Sequence, residues 1–281
     1  MQSHSVIGGG GLKLHVREWG RGDGPPLLFL HGWSQSHLSW RRQYESALAD
    51  RFRIVACDLR GHGMSGAPLE RSEYADGEKW ADDVAAVLKQ LNLTKPILIG
   101  WSYAGCVICD YLRKYGDEQI AGINFVAAAV ALGRNVPEAL TSAVFSQYAR
   151  AACSEDPSLN ISAMRSFMRV CLGNELSADD FEVTLAAAMV VNPKIRGFLL
   201  RREENFDSVL QAISVPVLVT HNRMDRIVPP AMSDHILRHC KTANASWYPG
   251  ETHAPFFEAS LRFNTELSDF AGALAAPLRN G

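Results

Sequence analysis

Residues 96–105 read Pro-Ile-Leu-Ile-Gly-Trp-Ser-Tyr-Ala-Gly, a short apolar run that leads into a turn of small residues around a serine. The apolar run 96–99 predicts a strand buried on both faces. Residues 106–115 predict a helix that stops at Gly116, since glycine is common just past a helix end. The stretch therefore predicts a strand, a sharp turn and a helix in direct succession.

Ser102 stands at the sharp point of this predicted turn. A serine at such a turn is held in a strained conformation, so the residues two before and two after it must be small. Gly100 and Ala104 meet that requirement. The turn also places the hydroxyl at the start of a helix, where free N–H groups and the helix dipole favour developing negative charge. Ser102 is therefore the candidate nucleophile.

Short apolar runs alternate with helical patterns along most of the chain. This alternation predicts an α/β fold, a mostly parallel twisted sheet flanked by helices. One amphipathic helix is expected at 79–91, and an antiparallel hairpin is expected to lead the fold, with residues 8–11 as its turn and 12–19 as its second strand. The predicted parallel strands are 26–30, 52–57, 96–99, 123–129 and 215–220.

The alternation breaks between about 133 and 205, where we predict helices and no strand. The expected helices are 139–152, 161–170 and 178–190. We interpret the segment 133–205 as a helical cap inserted into an α/β core made of 1–132 and 206–281. The alternative is a longer crossover connection between two strands.

A serine hydroxyl is a weak nucleophile and needs a base, which in turn needs an orienting carboxylate. Asp225 follows the predicted strand 215–220, and His253 follows a second short apolar segment at 245–248. Both loops are expected at the carboxyl edge of the sheet, where ligands bind in open α/β folds. We therefore predict a catalytic triad of Ser102, Asp225 and His253.

The reaction also needs two backbone N–H donors aimed at the developing oxyanion. We expect one from Tyr103, the residue after the nucleophile. The other is expected from Trp33, in the loop after the strand 26–30, because Gly32 lets the backbone approach closely.

Five motifs together resemble the α/β-hydrolase superfamily. They are HGW at 31–33, DLRGHGMS at 58–65, GWSYAG at 100–105, DRIVP at 225–229 and GETHAPF at 250–256. Within that superfamily the chain resembles the esterases and the cofactor-free, haloperoxidase-like perhydrolases. The resemblance implies ester hydrolysis, often with peracid formation as a side activity, and no cofactor. Trp101, Tyr103 and Ala104 depart from the residues that those enzymes commonly carry around the serine.

The leading hypothesis is hydrolysis of a small apolar carboxylic ester or lactone through an acyl-enzyme. The same triad could instead serve a carbon–carbon bond hydrolase or a perhydrolase. A non-hydrolytic lyase or dioxygenase, or a ligand receptor with slow turnover, would share the fold. Epoxide hydrolases and haloalkane dehalogenases are excluded, because they need an aspartate nucleophile where this chain has Ser102.

Apolar side chains of the predicted cap are candidates for the substrate pocket, since such pockets are mostly hydrophobic. Met164 and Phe167 lie in one predicted helix, Phe198 lies further along, and Trp101 adjoins the serine.

The charge composition limits the kinds of partner that the protein is expected to bind. The chain of 281 residues has 28 basic and 30 acidic side chains and a formal net charge of −2, so no bulk field attracts nucleic acid or an anionic membrane. We expect a small-molecule substrate. No secretory signal is predicted, and the six scattered cysteines are interpreted as reduced thiols in a cytoplasmic protein. The sequence does not indicate an oligomeric state.

Two further patterns are expected to be structural. His235 and His239 have a spacing that zinc ligands can use, but no glutamate lies between them in the HExxH sense, so no metal site is predicted. Cys106 and Cys109 form a C-x-x-C inside the predicted helix and are expected to be small buried hydrophobes.

Overall fold

The fold is an α/β sandwich, seen in a computed structural model that describes residues 1–173 and 176–275. The last six residues of the predicted core, 276–281, and two residues of the predicted cap, 174 and 175, lie outside the described residues. The strands are β1 (Gln2–Ile7), β2 (Lys13–Gly20), β3 (Pro26–Leu30), β4 (Arg53–Cys57), β5 (Ile97–Trp101), β6 (Gly122–Val126), β7 (Ala131–Leu132), β8 (Glu204–Asn205), β9 (Val217–Asn222) and β10 (Ala243–Tyr248).

Helices cover both faces of the sheet and form most of the segment between β7 and β8. They are α1 (Arg41–Tyr44), α2 (Gly77–Gln90), α3 (Ala104–Tyr115), α4 (Ala143–Ala152), α5 (Pro157–Leu172), α6 (Ala178–Val190), α7 (Pro193–Leu199), α8 (Asp207–Ala212), α9 (Pro230–His239), α10 (Pro255–Glu258) and α11 (Ser260–Ala275).

In the described residues the main sheet has eight strands in the order β1-β2-β4-β3-β5-β6-β9-β10. The pairs from β4–β3 through to β9–β10 are parallel, as the buried apolar runs predict. β1 pairs antiparallel with β2, which confirms the leading hairpin. The predicted fold class is therefore confirmed.

The helical segment differs from its prediction in two places. α7 was not predicted; it begins after Asn192, whose side chain accepts the N–H of Lys194, with Pro193 in the first turn. Within 133–205, where no strand was predicted, β8 pairs antiparallel with β7. Each of these strands has only two residues, which is too short to leave a periodic pattern.

Two predicted boundaries are also corrected. The strand predicted at 123–129 ends at Val126, because Ala127 has a φ of +43° and turns the chain away from the sheet. The helix predicted from 139 begins at Ala143, where the Ser142 hydroxyl accepts the N–H of Phe145 and caps the first turn.

The core lies on both faces of the central strands, as the continuously apolar sequences of β3, β5 and β6 require. Leu28, Leu98 and Phe125 are completely buried. None of the helices in the described residues is both long enough and apolar enough to cross a membrane. The division into a core and a cap stays our prediction.

Candidate active site

The turn between β5 and α3 holds Ser102 in a left-handed conformation, with a φ of +57°. A β-carbon on Gly105 would lie 2.5 Å from the backbone oxygen of Ala129, and one on Gly100 would lie 2.5 Å from Ile108 Cδ1. The small residue predicted at position 100 therefore has a steric cause, and Gly105, which the prediction did not include, has a stronger one. Ala104 fits although it is fully buried.

The backbone N–H of Trp33 in the loop after β3 and that of Tyr103 at the turn between β5 and α3 have no hydrogen-bond acceptor among the described residues. Gly32 brings the first one close, since a β-carbon there would lie 3.1 Å from Ser102 Cβ. The second stands at the start of α3, where N–H groups have no helical partner. Both predicted donors are thus free to bind an oxyanion.

His31 orients the Trp33 N–H by binding the Gly32 carbonyl, which belongs to the same peptide group. His31 Nε2 accepts from the N–H of Leu59 at 3.0 Å, so Nδ1 carries the proton and donates to the Gly32 carbonyl at 2.8 Å. In a trans peptide the N–H points away from the C=O. Burial lowers the pKa of His31 to about 4, which keeps this neutral tautomer at ordinary pH.

Asp225 lies in the loop after β9 and is almost fully buried. One carboxylate oxygen accepts from His253 Nδ1 at 2.7 Å, and the other accepts from the backbone N–H of Ile227 at 2.7 Å. Burial opposes ionisation, but the His253 and His221 imidazoles outweigh it and hold the pKa of Asp225 below its usual value.

His253 is presented by the loop after β10, with its backbone N–H bonded to the Cys171 carbonyl at 2.8 Å. Its ring is buried, and Nε2 has no hydrogen-bond partner among the described residues. The ring and Ser102 line the same cavity, although they share no hydrogen bond. Hydrogen bonds of this kind are often long in a ligand-free enzyme.

His221 was missed by the sequence analysis, although it lies four residues before Asp225. Its Nε2 lies 2.9 Å from Asp225 Oδ2 and 3.0 Å from the Val228 carbonyl oxygen. Because both neighbours of His221 Nε2 are hydrogen-bond acceptors, this nitrogen carries the proton. His221 therefore donates to the same carboxylate oxygen that His253 contacts, while Ser233 holds its other nitrogen at 2.6 Å.

A cavity of about 660 Å³ lies between the carboxyl edge of the sheet and helices α4 and α5. Ser102, His253 and Trp101 line it, as does Phe167, so these predicted positions are brought together. Phe145, Phe167, Met168, Leu200, Ile227 and Met232 give it an apolar wall.

Two predicted substrate contacts are corrected, because Met164 and Phe198 do not line this cavity. Met164 is completely buried within the helical segment. Phe198 faces away and stacks on Tyr74, with ring centroids 6.0 Å apart. Helical periodicity identified the helix of Met164 but not which of its buried faces meets the cavity, and the helix of Phe198 was not predicted.

Comparison with known proteins fits this geometry. A family model of the alpha/beta hydrolase fold matches residues 25–260. The chain belongs to the α/β-hydrolase family.

Several relatives of this hydrolase carry esterase and haloperoxidase names. The crystal structure of the esterase RhEst1 from Rhodococcus sp. ECU1013 superposes with a TM-score of 0.93 and 34% identity, covering 98% of this chain and 100% of that one. A bifunctional esterase/perhydrolase from Acinetobacter calcoaceticus is 27% identical over 92% of this chain and 96% of its own length. A non-heme haloperoxidase from Rhodococcus erythropolis is 26% identical over 94% and 98%. The resemblance stated from the motifs is confirmed.

The side chain of Tyr103 links the turn between β5 and α3 to the end of the helical segment. Arg202 donates to the Tyr103 hydroxyl at 3.3 Å and to both carboxylate oxygens of Asp110 at 2.8 and 2.7 Å. Arg202 and Asp110 are buried, so this cluster anchors the chain just before β8 against α3.

Arg196 joins the helices of the helical segment through buried hydrogen bonds. It is completely buried and donates to the carbonyl oxygens of Ala152 and Ala188 and to the side chain of Asn160. Burial lowers the pKa of Arg196 to about 10. Its own carbonyl accepts from the Trp33 indole N–H at 3.2 Å, which joins the helical segment to the loop after β3.

The remaining candidate residues lie away from Ser102 or serve the fold. Asp58, the first residue of the DLRGHGMS motif, accepts from the backbone N–H of His37 at 2.7 Å and from that of Met64 at 3.0 Å, so it stabilises the loops after β3 and β4. Cys106 and Cys109 are buried in α3, and all six cysteines are free.

Proposed function

We propose that this α/β hydrolase cleaves small apolar carboxylic esters through an acyl-enzyme on Ser102. The observation that carries the proposal is the arrangement of His253. Asp225 holds Nδ1 of the imidazole, Nε2 is unpartnered, and His253 lines the same cavity as Ser102. A buried imidazole with one fixed nitrogen and one free nitrogen is what a general base beside a nucleophile requires.

The chemistry follows from these positions. Ser102 Oγ attacks the ester carbonyl and gives its proton to His253 Nε2, and Asp225 stabilises the imidazolium that forms. The carbonyl oxygen becomes an oxyanion that accepts from the free N–H groups of Trp33 and Tyr103. His253 then protonates the departing alcohol. Water attacks the acyl-enzyme by the reverse proton path and releases the acid.

The substrate class is argued from the cavity wall. A cavity of about 660 Å³ with an apolar wall suits an acyl or alcohol group of modest size. Close to the serine this wall offers few polar partners to a charged group. Arg71, Arg134 and Arg201 line the cavity too, but these three side chains are exposed. We therefore expect any charge on the substrate to lie far from the scissile carbonyl.

Perhydrolysis is a second candidate activity, favoured by the names of the relatives. Hydrogen peroxide would replace water in the second half-reaction, so that its oxygen attacks the acyl carbon and a peracid leaves Ser102. The first half-reaction and its residues would be unchanged.

A panel of p-nitrophenyl esters tests the proposal. The measurement is the rate of p-nitrophenolate release by the parent and by Ser102→Ala. We expect measurable turnover in the parent and a loss of several orders of magnitude in the variant, since alanine removes the attacking oxygen. Residual activity within tenfold of the parent would refute the assignment of the nucleophile. Adding peroxide and measuring peracid separates the second activity from the first.

Asp225→Asn tests the acid. The amide keeps the size of the side chain but favours the wrong imidazole tautomer, so we expect kcat to fall by roughly 10⁴. Full activity in this variant would assign the role to another carboxylate.

A further inference from the structure

Three side chains with metal-ligating atoms meet on the surface formed by α8 and α9. Asp207 is the first residue of α8, and His235 and His239 lie four residues apart in the second half of α9. One ligating atom from each lies within 4.8 Å of the other two, and in residues 1–173 and 176–275 this is the only such group of three. The third ligand comes from 28 residues before His235, which is why the histidine spacing alone did not reveal it.

The hydrogen bond of His239 shows which of its ring nitrogens carries a lone pair. His239 Nδ1 lies 2.9 Å from the His235 carbonyl oxygen, an acceptor, so Nδ1 carries the proton in a neutral ring. His239 Nε2 is then an acceptor, and it faces Asp207 Oδ2 at 3.9 Å. Two acceptors that face each other at this distance leave room for a cation between them. A backbone acceptor on the non-ligating nitrogen is also the usual arrangement around metal-bound histidine.

The other pair needs only a small adjustment. His235 Nε2 lies 2.7 Å from the carboxylate oxygen Asp207 Oδ1, so it carries the proton of this hydrogen bond. An ion that binds here displaces that proton, which passes to His235 Nδ1 or to solvent. Ligand bonds of about 2.0–2.1 Å in a tetrahedral site separate the ligand atoms by roughly 3.3 Å. The His235–Asp207 pair would therefore open by about 0.6 Å, and the His239–Asp207 pair would close by about the same distance.

The surroundings favour a cation. Both histidines lie near the C-terminus of α9, where the helix dipole places partial negative charge. A surface depression of about 270 Å³, lined by Asp207 and His235, adjoins the cluster and gives space for water to complete the coordination.

We propose that Asp207, His235 and His239 bind one divalent transition-metal ion of the zinc class, as a structural link between α8 and α9. Two imidazoles and a carboxylate are ligands that zinc accepts readily. The metal ion would link Asp207, two residues after β8, to α9. The same helix carries Ser233, which bonds His221, and His221 in turn donates to Asp225. The site takes no part in the ester chemistry, and its existence does not depend on the proposed function.

Zinc chloride titration of the untagged, EDTA-treated protein, followed by calorimetry, tests this site. We expect one equivalent to bind, and Tm to rise by roughly 5 °C at a zinc concentration about a hundredfold above Kd. Cobalt(II) should give the visible d–d absorption of a nitrogen and oxygen site without the near-ultraviolet thiolate band that cysteine ligation would produce.

His239→Gln and Asp207→Asn should each weaken zinc binding at least tenfold. His4→Gln is the matched control, because His4 and Glu18 also form a histidine–carboxylate pair, at 2.9 Å, but have no second histidine beside them. This control should bind zinc like the parent. The proposal is overturned if the parent binds no stoichiometric zinc, if both cluster variants keep parental affinity, or if the cobalt spectrum shows thiolate ligation.

Discussion

At the scale of single residues, the site depends on hydrogen bonds that fix a proton on one chosen nitrogen. His31 and His221 each meet partners that leave only one tautomer, and neither lies against the substrate cavity. His31 sets the direction of a backbone N–H, and His221 sets the position of a carboxylate. In the proposed reaction both would act through another group.

His221→Phe should lower kcat and leave KM close to that of the parent. Phenylalanine fills the buried space but removes the donor to Asp225 Oδ2, so the carboxylate is held less firmly behind His253. Loss of a buried hydrogen bond to a charged group suggests a decrease of roughly tenfold to a hundredfold. Steady-state kinetics measure it. A change confined to KM, or no change, would contradict this positioning role.

At the scale of elements, the turn between β5 and α3 makes a steric demand that can be tested by stability. Gly105→Ala places a methyl group 2.5 Å from the Ala129 backbone oxygen, which cannot move aside as a side chain would. We expect a loss of about 2–3 kcal/mol in the free energy of unfolding.

The matched variant is Ala104→Gly, which removes a methyl group one residue earlier. It should cost only about 1 kcal/mol, the usual effect of glycine in a helix. Urea unfolding of both variants gives the comparison, and equal losses would contradict the steric account of the turn.

Phe167 is one of two large apolar side chains that α5 contributes to the cavity wall. It packs against Trp33 and Phe145, with ring centroids 5.6 Å away in each case. Phe167→Ala should move the optimum of kcat/KM to longer acyl chains, with a gain of about fourfold for each additional buried methylene.

Phe198→Ala is the control, since Phe198 lies in the same helical segment but does not line the cavity. Its profile across a series of p-nitrophenyl esters should match that of the parent. If Phe167→Ala leaves the profile unchanged, or both variants shift it alike, the helical segment does not select the acyl chain in this way.

Elements with strong local patterns were predictable, and those defined by tertiary contacts were not. The apolar runs of β3 and β5 and the amphipathic pattern of α2 are set by local sequence. β8 escaped prediction because two residues carry no period. The chain order of Ser102, Asp225 and His253 predicted a triad; in the structure Asp225 bonds His253, and His253 and Ser102 line one cavity. The partners of buried polar residues such as Arg196 and His221 depend on the tertiary fold, so no local sequence pattern indicates them.

At the scale of the whole molecule, buried neutral histidines make stability depend on pH. His31 and His62 bridge the loops after β3 and β4, and His62 Nε2 accepts from the N–H of Ser34 at 3.2 Å. Burial lowers the pKa of His31 to about 4 and that of His62 to about 3. In the unfolded chain both titrate near their ordinary value of 6.5.

The unfolded state therefore binds more protons than the folded state below pH 6.5, and stability falls as the pH falls. The loss reaches at most about 1.4 kcal/mol per pH unit for each histidine and continues until the folded-state pKa is passed. His62→Gln keeps a donor and an acceptor but does not titrate, so its urea midpoint should fall less between pH 6.5 and 5 than that of the parent. Parallel curves for the two proteins would contradict this account.

The most direct measurement of the central claim is covalent labelling with a serine-directed phosphonate, followed by intact mass and peptide mapping. The account predicts one phosphonyl group per chain, bonded to Ser102, with ester turnover lost in proportion to labelling. Ser102→Ala should take up no label under the same conditions. Turnover that survives complete labelling of Ser102, or inactivation with the label on another residue, would contradict it.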